Sequence, residues 1–69
     1  MREIFAKRLK ALRNAKGISQ AKLADDIGVD DAFIGQLELE KSFVSVDTLV
    51  ILAKYFNVST DYLLGLVDD

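Results

Sequence analysis

The 69-residue chain contains no cysteine and no histidine. Without cysteine it can form neither a disulfide framework nor a zinc ribbon, and it has no thiol nucleophile. Without histidine it lacks the commonest general base and the commonest transition-metal ligand. Proline is also absent and glycine occurs four times, whereas 51% of the residues are hydrophobic. This composition is typical of a compact helical domain and not of a disordered segment.

The sequence also has no apolar run of the roughly 20 residues that a membrane-spanning helix requires. Its first residues, Met1–Arg2–Glu3, are unlike the apolar stretch of a secretory signal. We therefore expect a cytoplasmic chain that does not enter a membrane. A chain of this length supports one small domain, here residues 1–69, which buries about 60% of the surface that its unfolded form exposes.

Charge is distributed unevenly along the chain, although the net charge is only −2. Residues 1–22 carry seven basic side chains and one carboxylate, a balance of +6. Residues 23–69 carry two basic side chains and ten carboxylates, a balance of −8. Nucleic-acid-binding domains usually concentrate basic side chains on the face that meets the phosphates. The role of the basic first segment therefore depends on where the fold places it.

Five segments show the spacing of helices with one apolar side. The first carries Ile4, Phe5, Leu9 and Leu12, and its pattern ends at Gly17. Residues suited to the N-caps of the four later helices are Ser19, Asp30, Ser45 and Ser59. Residues suited to a left-handed helix end are Gly17, Gly28, Asn57 and Gly65. Since no segment alternates as a strand does, the sequence predicts an all-α fold with five helices.

Three stretches of the chain together have the order and spacing of a known family. They read RLKALRNAKGISQAKLADDIGV, FIGQLE and SVDTLVILAKYFNVSTDYLLG, and they lie between residues 8 and 65. This arrangement resembles the lambda-repressor/Cro family of helix-turn-helix domains, also called the XRE family. The resemblance implies a five-helix lambda-repressor-like domain, with its helix-turn-helix at about residues 19–39 and its third helix in the DNA major groove. It also implies an internal structural pair of Arg13 and Glu38, which ties the first helix to the third.

The family pattern assigns DNA contacts to Gln20, Asp31, Ala32, Gln36 and Lys41. Gln20 would bond a phosphate, the next three would face the bases, and Lys41 would lie near the backbone. Asp31 departs from the pattern, because many relatives carry a basic or amide residue there. A carboxylate can accept a hydrogen bond from a cytosine amino group, but it also weakens binding to a polyanion.

Two further departures lie at the end of the third helix. Leu39 and Glu40 stand where relatives commonly have Arg or Asn followed by glycine. Since that glycine serves as a helix C-cap, we expect Glu40 to carry a conformational penalty or to change the path of the loop. At about 100° per residue, Leu39 falls on the outer side of the third helix and Ile51 on the outer side of the fourth. Phe43 lies in the loop between these two helices.

These departures favour the hypothesis of a non-catalytic protein-binding module on a helix-turn-helix scaffold. Leu39, Phe43 and Ile51 are large apolar residues at positions that the core does not need, and a contiguous exposed cluster indicates a contact surface. A polar rim would surround these anchors, formed by Asp31, Gln36, Glu40 and Lys41. A surface of this kind, natural or designed, would bind a second copy of the chain or a different protein.

The alternative hypothesis is a sequence-specific DNA-binding repressor of the Cro type that acts as a dimer on a palindromic operator. Leu66 and Val67, beyond the last helix, would then be candidates for the dimer contact. An enzyme is the least favoured function, because the glycines lack the order of a phosphate-binding loop and no spacing indicates a catalytic pair. The paired aspartates lack the pattern of a calcium-binding loop. We therefore expect no catalytic residue, no metal site and no cofactor.

Overall fold

A computed structural model describes residues 1–69, which form five α-helices and no strand. The helices are α1 (Arg2–Lys16), α2 (Gln20–Ile27), α3 (Asp31–Glu38), α4 (Val46–Phe56) and α5 (Thr60–Leu64). The predicted all-α architecture is confirmed. No helix is both long enough and apolar enough to cross a membrane.

Local capping residues set the ends of these helices. Side-chain oxygens accept hydrogen bonds of 2.9 to 3.2 Å from first-turn backbone N–H groups at four N-caps, Ser19, Asp30, Ser45 and Ser59. Each such cap stabilises its helix by about 1 kcal/mol relative to alanine. Four of the helices end at a residue in the left-handed backbone conformation, at the predicted positions Gly17, Gly28, Asn57 and Gly65. The predicted boundaries are therefore confirmed at both kinds of cap.

All five helices contribute to one hydrophobic core. Its ten members are Phe5, Leu9, Leu23, Ala24, Ile34, Leu37, Leu49, Leu52, Ala53 and Leu63. Helix α1 packs against α3 and α5, and α2 packs against α3 and α4. Burial of each large apolar side chain stabilises the fold by about 1.5–3 kcal/mol. The core therefore fixes the α2–α3 pair from beneath, through α1 and α4.

One residue of the predicted apolar side of α1 lies at the surface instead of in the core. Ile4 is 40% exposed, and the small Ala6 is buried at 3% exposure. The side chain of Ile4 covers the backbone at Gly65, where a Cβ atom would come within 2.8 Å of the isoleucine Cγ2. Gly65 also has φ +80°, so this position favours glycine for both its conformation and its close neighbour.

A polar cluster joins α2 to α4 on the surface. The hydroxyl of Tyr55 donates a hydrogen bond of 2.6 Å to Asp26, whose other carboxylate oxygen lies 2.8 Å from the Lys22 ammonium. The hydrogen bond from Lys22, and then that from Tyr55, lowers the pKa of Asp26. The same carboxylate raises the pKa of the Tyr55 phenol, first through the hydrogen bond that it accepts. This cluster fastens the first helix of the helix-turn-helix to the body of the domain.

Candidate nucleic-acid interface

The turn between α2 and α3 is held by backbone geometry. Gly28 adopts φ +79°, and its N–H and that of Val29 both donate to the carbonyl of Ala24 at 2.9 Å. The chain then extends through Asp30, whose carboxylate accepts a hydrogen bond of 2.9 Å from the N–H of Ala32. Asp30 is therefore used as a cap, and this geometry sets the angle at which α3 leaves α2.

A two-bond ion pair locks α3 onto α1. The Arg13 guanidinium donates from Nε to Oε2 of Glu38 at 2.7 Å and from Nη2 to Oε1 at 3.0 Å. Its third nitrogen, Nη1, donates to the carbonyl of Ile18 at 2.9 Å. The pair that the family resemblance implied is thus present. It joins the end of α1, the start of the helix-turn-helix and the end of α3 through one guanidinium group.

Gln20 extends this network to the start of α2. Its Nε2 donates a hydrogen bond of 3.0 Å to Oε1 of Glu38. Burial alone would raise the pKa of the Glu38 carboxyl, but the hydrogen bonds from Arg13 and Gln20 outweigh it and hold that pKa below its usual range. The Gln20 side chain lies over Gly35, where a Cβ atom would be 3.4 Å from Oε1 of Gln20. Since a primary amide has two N–H donors, Gln20 keeps one for a ligand.

The outer surface of α3 exposes the predicted base-facing residues. Asp31, Ala32 and Gln36 are all exposed. In contrast to Asp30, the carboxylate of Asp31 makes no hydrogen bond within the chain and forms no ion pair. The exposed surface of α3 therefore begins with an acceptor at Asp31 and ends with an amide at Gln36.

The loop after α3 turns back on the end of that helix. Glu40 adopts φ +64°, a left-handed conformation that is unfavourable for a residue with a Cβ atom. Glu40 thus takes the conformation that glycine favours, which is where a penalty or a changed loop path was expected. The left-handed turn lets the N–H groups of Lys41 and Ser42 donate to the carbonyl of Gln36, at 2.8 and 3.3 Å. Lys41 is exposed beside Gln36, whereas Ser42 is half-buried.

The predicted apolar anchors do not behave alike. Leu39 is 68% exposed and Ile51 is 44% exposed. Phe43, however, is half-buried, and its ring packs edge-on against Phe5 with centroids 5.2 Å apart. The prediction that Phe43 stands outward as an anchor is therefore wrong, because the loop folds its ring onto the core and so removes a large apolar surface from water.

The basic side chains of the first segment mostly face partners within the protein. Arg8 donates to the carbonyls of Tyr62 and Val67 and stacks on the Tyr62 ring, with its guanidinium carbon 4.2 Å from the centroid. Five more have partners of their own, with Arg2 over Phe43, Lys7 beside Glu3, Arg13 on Glu38, Lys16 over Tyr55 and Lys22 on Asp26. Six of the seven basic side chains of residues 1–22 therefore lie beside groups of the protein itself.

The geometry of α2, the turn and α3 is that of a helix-turn-helix, and comparison with known proteins agrees. The family described as Helix-turn-helix matches residues 9–63, so the chain belongs to this family. YobD of Bacillus subtilis, an HTH-type transcriptional regulator, is 41% identical over 66 residues, which are 96% of this chain and 59% of YobD. The control protein C.SmaI of Serratia marcescens is 38% identical over 64 residues, 93% of this chain and 76% of C.SmaI.

A solved structure shows the same arrangement. The restriction-modification controller protein C.AhdI of Aeromonas hydrophila matches with a TM-score of 0.81 and 34% identity, over 90% of this chain and 94% of that chain.

The hypothesis of a protein-binding module, natural or designed, is therefore wrong. It gave too much weight to the exposed Leu39 and the acidic residues around α3, whereas relatives of this similarity are named as transcriptional regulators and restriction-modification controllers.

Proposed function

We propose that the chain binds specific DNA sequences as the DNA-reading domain of a transcriptional regulator, with α3 in the major groove. The observation that carries this proposal is the α2–turn–α3 unit, which is capped at Asp30 and locked by the pair of Arg13 and Glu38. A major groove about 12 Å wide accepts one helix, so a rigid α3 with an exposed outer surface has the required shape. Because bacterial DNA lies in the cytoplasm, the proposal also assigns the chain to that compartment.

Each exposed polar residue of this surface has a role in the proposal. Gln20 donates its free N–H to a phosphate at the start of α2. Asp31 accepts from the amino group of a cytosine or adenine, and Ala32 contacts a thymine methyl group. Gln36 hydrogen-bonds a base edge near the end of α3. Lys41 contacts the DNA backbone beside it.

Electrostatics make recognition depend on bases more than on phosphates. Six of the seven basic side chains in residues 1–22 contact acidic, aromatic or carbonyl groups of the protein. Asp31 and Glu40 add negative charge beside α3. The slope of the logarithm of DNA affinity against the logarithm of salt concentration is proportional to the number of neutralised phosphates. We therefore expect a shallower salt dependence than in a protein with 6–10 phosphate contacts.

A dimer completes the proposal, because a palindromic operator repeats its half-sites about one helical turn apart. Leu66 and Val67 follow α5 and are 64% and 39% exposed. The neighbouring surface is also apolar, since Ile4 covers Gly65 and is itself 40% exposed. Arg8 donates to the carbonyl of Val67 at 2.7 Å and so holds this segment in place. We propose that this surface meets its copy across the two-fold axis.

The test is binding-site selection from random duplexes, followed by fluorescence anisotropy of the selected duplex at low and at physiological salt. Gln36→Ala should weaken binding to that duplex by about fivefold or more, since a base contact is worth about 1–3 kcal/mol. Asn14→Ala removes an exposed amide from α1 and should leave binding unchanged. Failure of the wild-type chain to bind any duplex at low salt would rule out the proposal.

A further inference from the structure

Gln36 is the one base-facing side chain of α3 that is held by a neighbour. Ser42 donates a hydrogen bond from its hydroxyl to Oε1 of Gln36 at 3.1 Å. The contact depends on the loop, because the backbone N–H of Ser42 also donates to the main-chain carbonyl of Gln36 at 3.3 Å. The left-handed Glu40, with φ +64°, turns the chain so that residue 42 meets residue 36.

In the structure this contact orients the Gln36 amide with its oxygen toward the loop. A glutamine amide has an acceptor oxygen and a nitrogen with two donors, and rotation by half a turn exchanges them. With Oε1 directed to Ser42, the Nε2 donors are left for a ligand. In DNA, guanine, adenine and thymine present acceptors in the major groove, whereas cytosine presents only its amino donor.

We infer that Ser42 is a positioning residue that makes Gln36 read an acceptor-bearing base and reject cytosine. The inference rests on the proposed DNA-binding function and extends it, since it names the base chemistry and a residue outside the helix that sets it. A hydroxyl at position 42 thus acts on specificity without touching DNA. It also limits the motion of the glutamine before binding, which lowers the entropy lost on docking.

The experiment starts from the selected duplex and its three variants at the position where Gln36→Ala loses base preference. The wild-type chain should bind the cytosine variant about fivefold to tenfold more weakly than the best duplex, within the usual cost of one mismatch. Ser42→Ala should reduce that difference to about twofold and leave the preferences at other positions unchanged. Ser42→Thr keeps the hydroxyl and should restore the wild-type profile.

A measurement without DNA examines the same contact. In NMR of the free protein, the side-chain amide of Gln36 should be ordered in the wild-type chain and in Ser42→Thr, and more mobile in Ser42→Ala. An unchanged base profile in Ser42→Ala, or equal loss of preference at every position, would overturn the inference while the DNA-binding proposal stands. Equal mobility of the amide in all three proteins would overturn it as well. If the wild-type chain bound no duplex, the proposed function would fail and the inference with it.

Discussion

Arg13 and Glu38 form two parallel hydrogen bonds between α1 and α3, and only 11% and 4% of their side-chain surfaces are exposed. Breaking such a pair from one side leaves an uncompensated buried charge, which costs about 3–5 kcal/mol. Glu38→Ala should therefore lower the free energy of unfolding by about that amount, a large share of the roughly 5–15 kcal/mol of a natural domain. Urea denaturation followed by circular dichroism measures the loss.

The matched control replaces both partners. Arg13→Met combined with Glu38→Leu removes the charges together and keeps the volume apolar, so it should recover most of the lost stability. A double variant that is no more stable than Glu38→Ala would show that the unpaired charge is not the cause.

Acid should destabilise the domain through Glu38. Because its pKa is lower in the folded than in the unfolded state, the unfolded chain binds more protons in this range, and stability rises with pH. The contribution is complete above the ordinary glutamate pKa of about 4.3 and is lost as pH falls through the lower folded value. Urea denaturation from about pH 7 to about pH 3 measures this slope. Glu38→Gln should flatten it, and Asp61→Asn should leave this contribution intact; equal slopes in all three proteins would contradict the assignment.

Two substitutions of Glu40 separate the effect of its backbone conformation on stability from the effect of its charge. Glu40→Gly relieves the left-handed backbone at φ +64° and should stabilise the domain by up to about 1 kcal/mol. Glu40→Gln keeps the strain and removes only the charge, so its stability should stay near that of the wild type. Both variants should bind DNA more tightly at low salt, because each removes a carboxylate from the DNA-facing side. Denaturation and anisotropy on the same three proteins give both results, and a stabilised Gln variant would disprove the backbone explanation.

Asp31 should reduce affinity while it contributes to selectivity. Asp31→Asn removes a negative charge from the surface that meets DNA and adds an amide donor, so affinity for random duplexes should rise about twofold to fivefold at low salt. Preference should relax at one position of the selected site, where the carboxylate accepted from a base amino group. Asp61→Asn makes the same charge change on α5 and serves as the control. An equal rise in affinity in both variants, with the base profile unchanged, would mean that Asp31 acts only through net charge.

Self-association should depend on the segment after α5. Leu66→Asp places a charge on the proposed two-fold contact and should weaken the dimer about tenfold or more. Val46→Asp changes another exposed residue, 76% accessible at the start of α4, and should leave the dimer intact. Analytical ultracentrifugation across a concentration series distinguishes these results. If only the α4 variant dissociated, the dimer contact would lie elsewhere.

Local signals made most of the fold predictable. Ser19 and Gly28 end α2 through contacts with residues only a few positions away, so the local sequence is enough to predict both helix ends. Ile4 and Phe43 were mispredicted because their burial depends on residues far along the chain, Gly65 and Phe5. Helical spacing alone cannot show that Ala6 is buried while Ile4 lies outside the core.

The sequence predicts which residues form the site better than it predicts the contacts that these residues make. The family pattern located Gln20, Asp31 and Gln36, but Ser42 was missed because its contact requires the left-handed turn at Glu40. That turn had a signal in the sequence, since relatives commonly carry glycine there. The sequence favours the wrong function because an exposed Leu39 suggests a protein partner, although single exposed apolar residues are common on folded proteins.

The hydrogen bond between Tyr55 and Asp26 makes the ultraviolet absorbance of a tyrosine sensitive to the packing of α2 against α4. The sequence contains no tryptophan and two tyrosines, so its near-ultraviolet signal comes from these phenols. Because the Asp26 carboxylate raises the pKa of Tyr55, an alkaline absorbance titration reports whether α2 still touches α4. Destabilising substitutions anywhere in the domain can thus be divided, without a label, into two groups. One group separates α2 from α4, and the other leaves the contact between these helices intact.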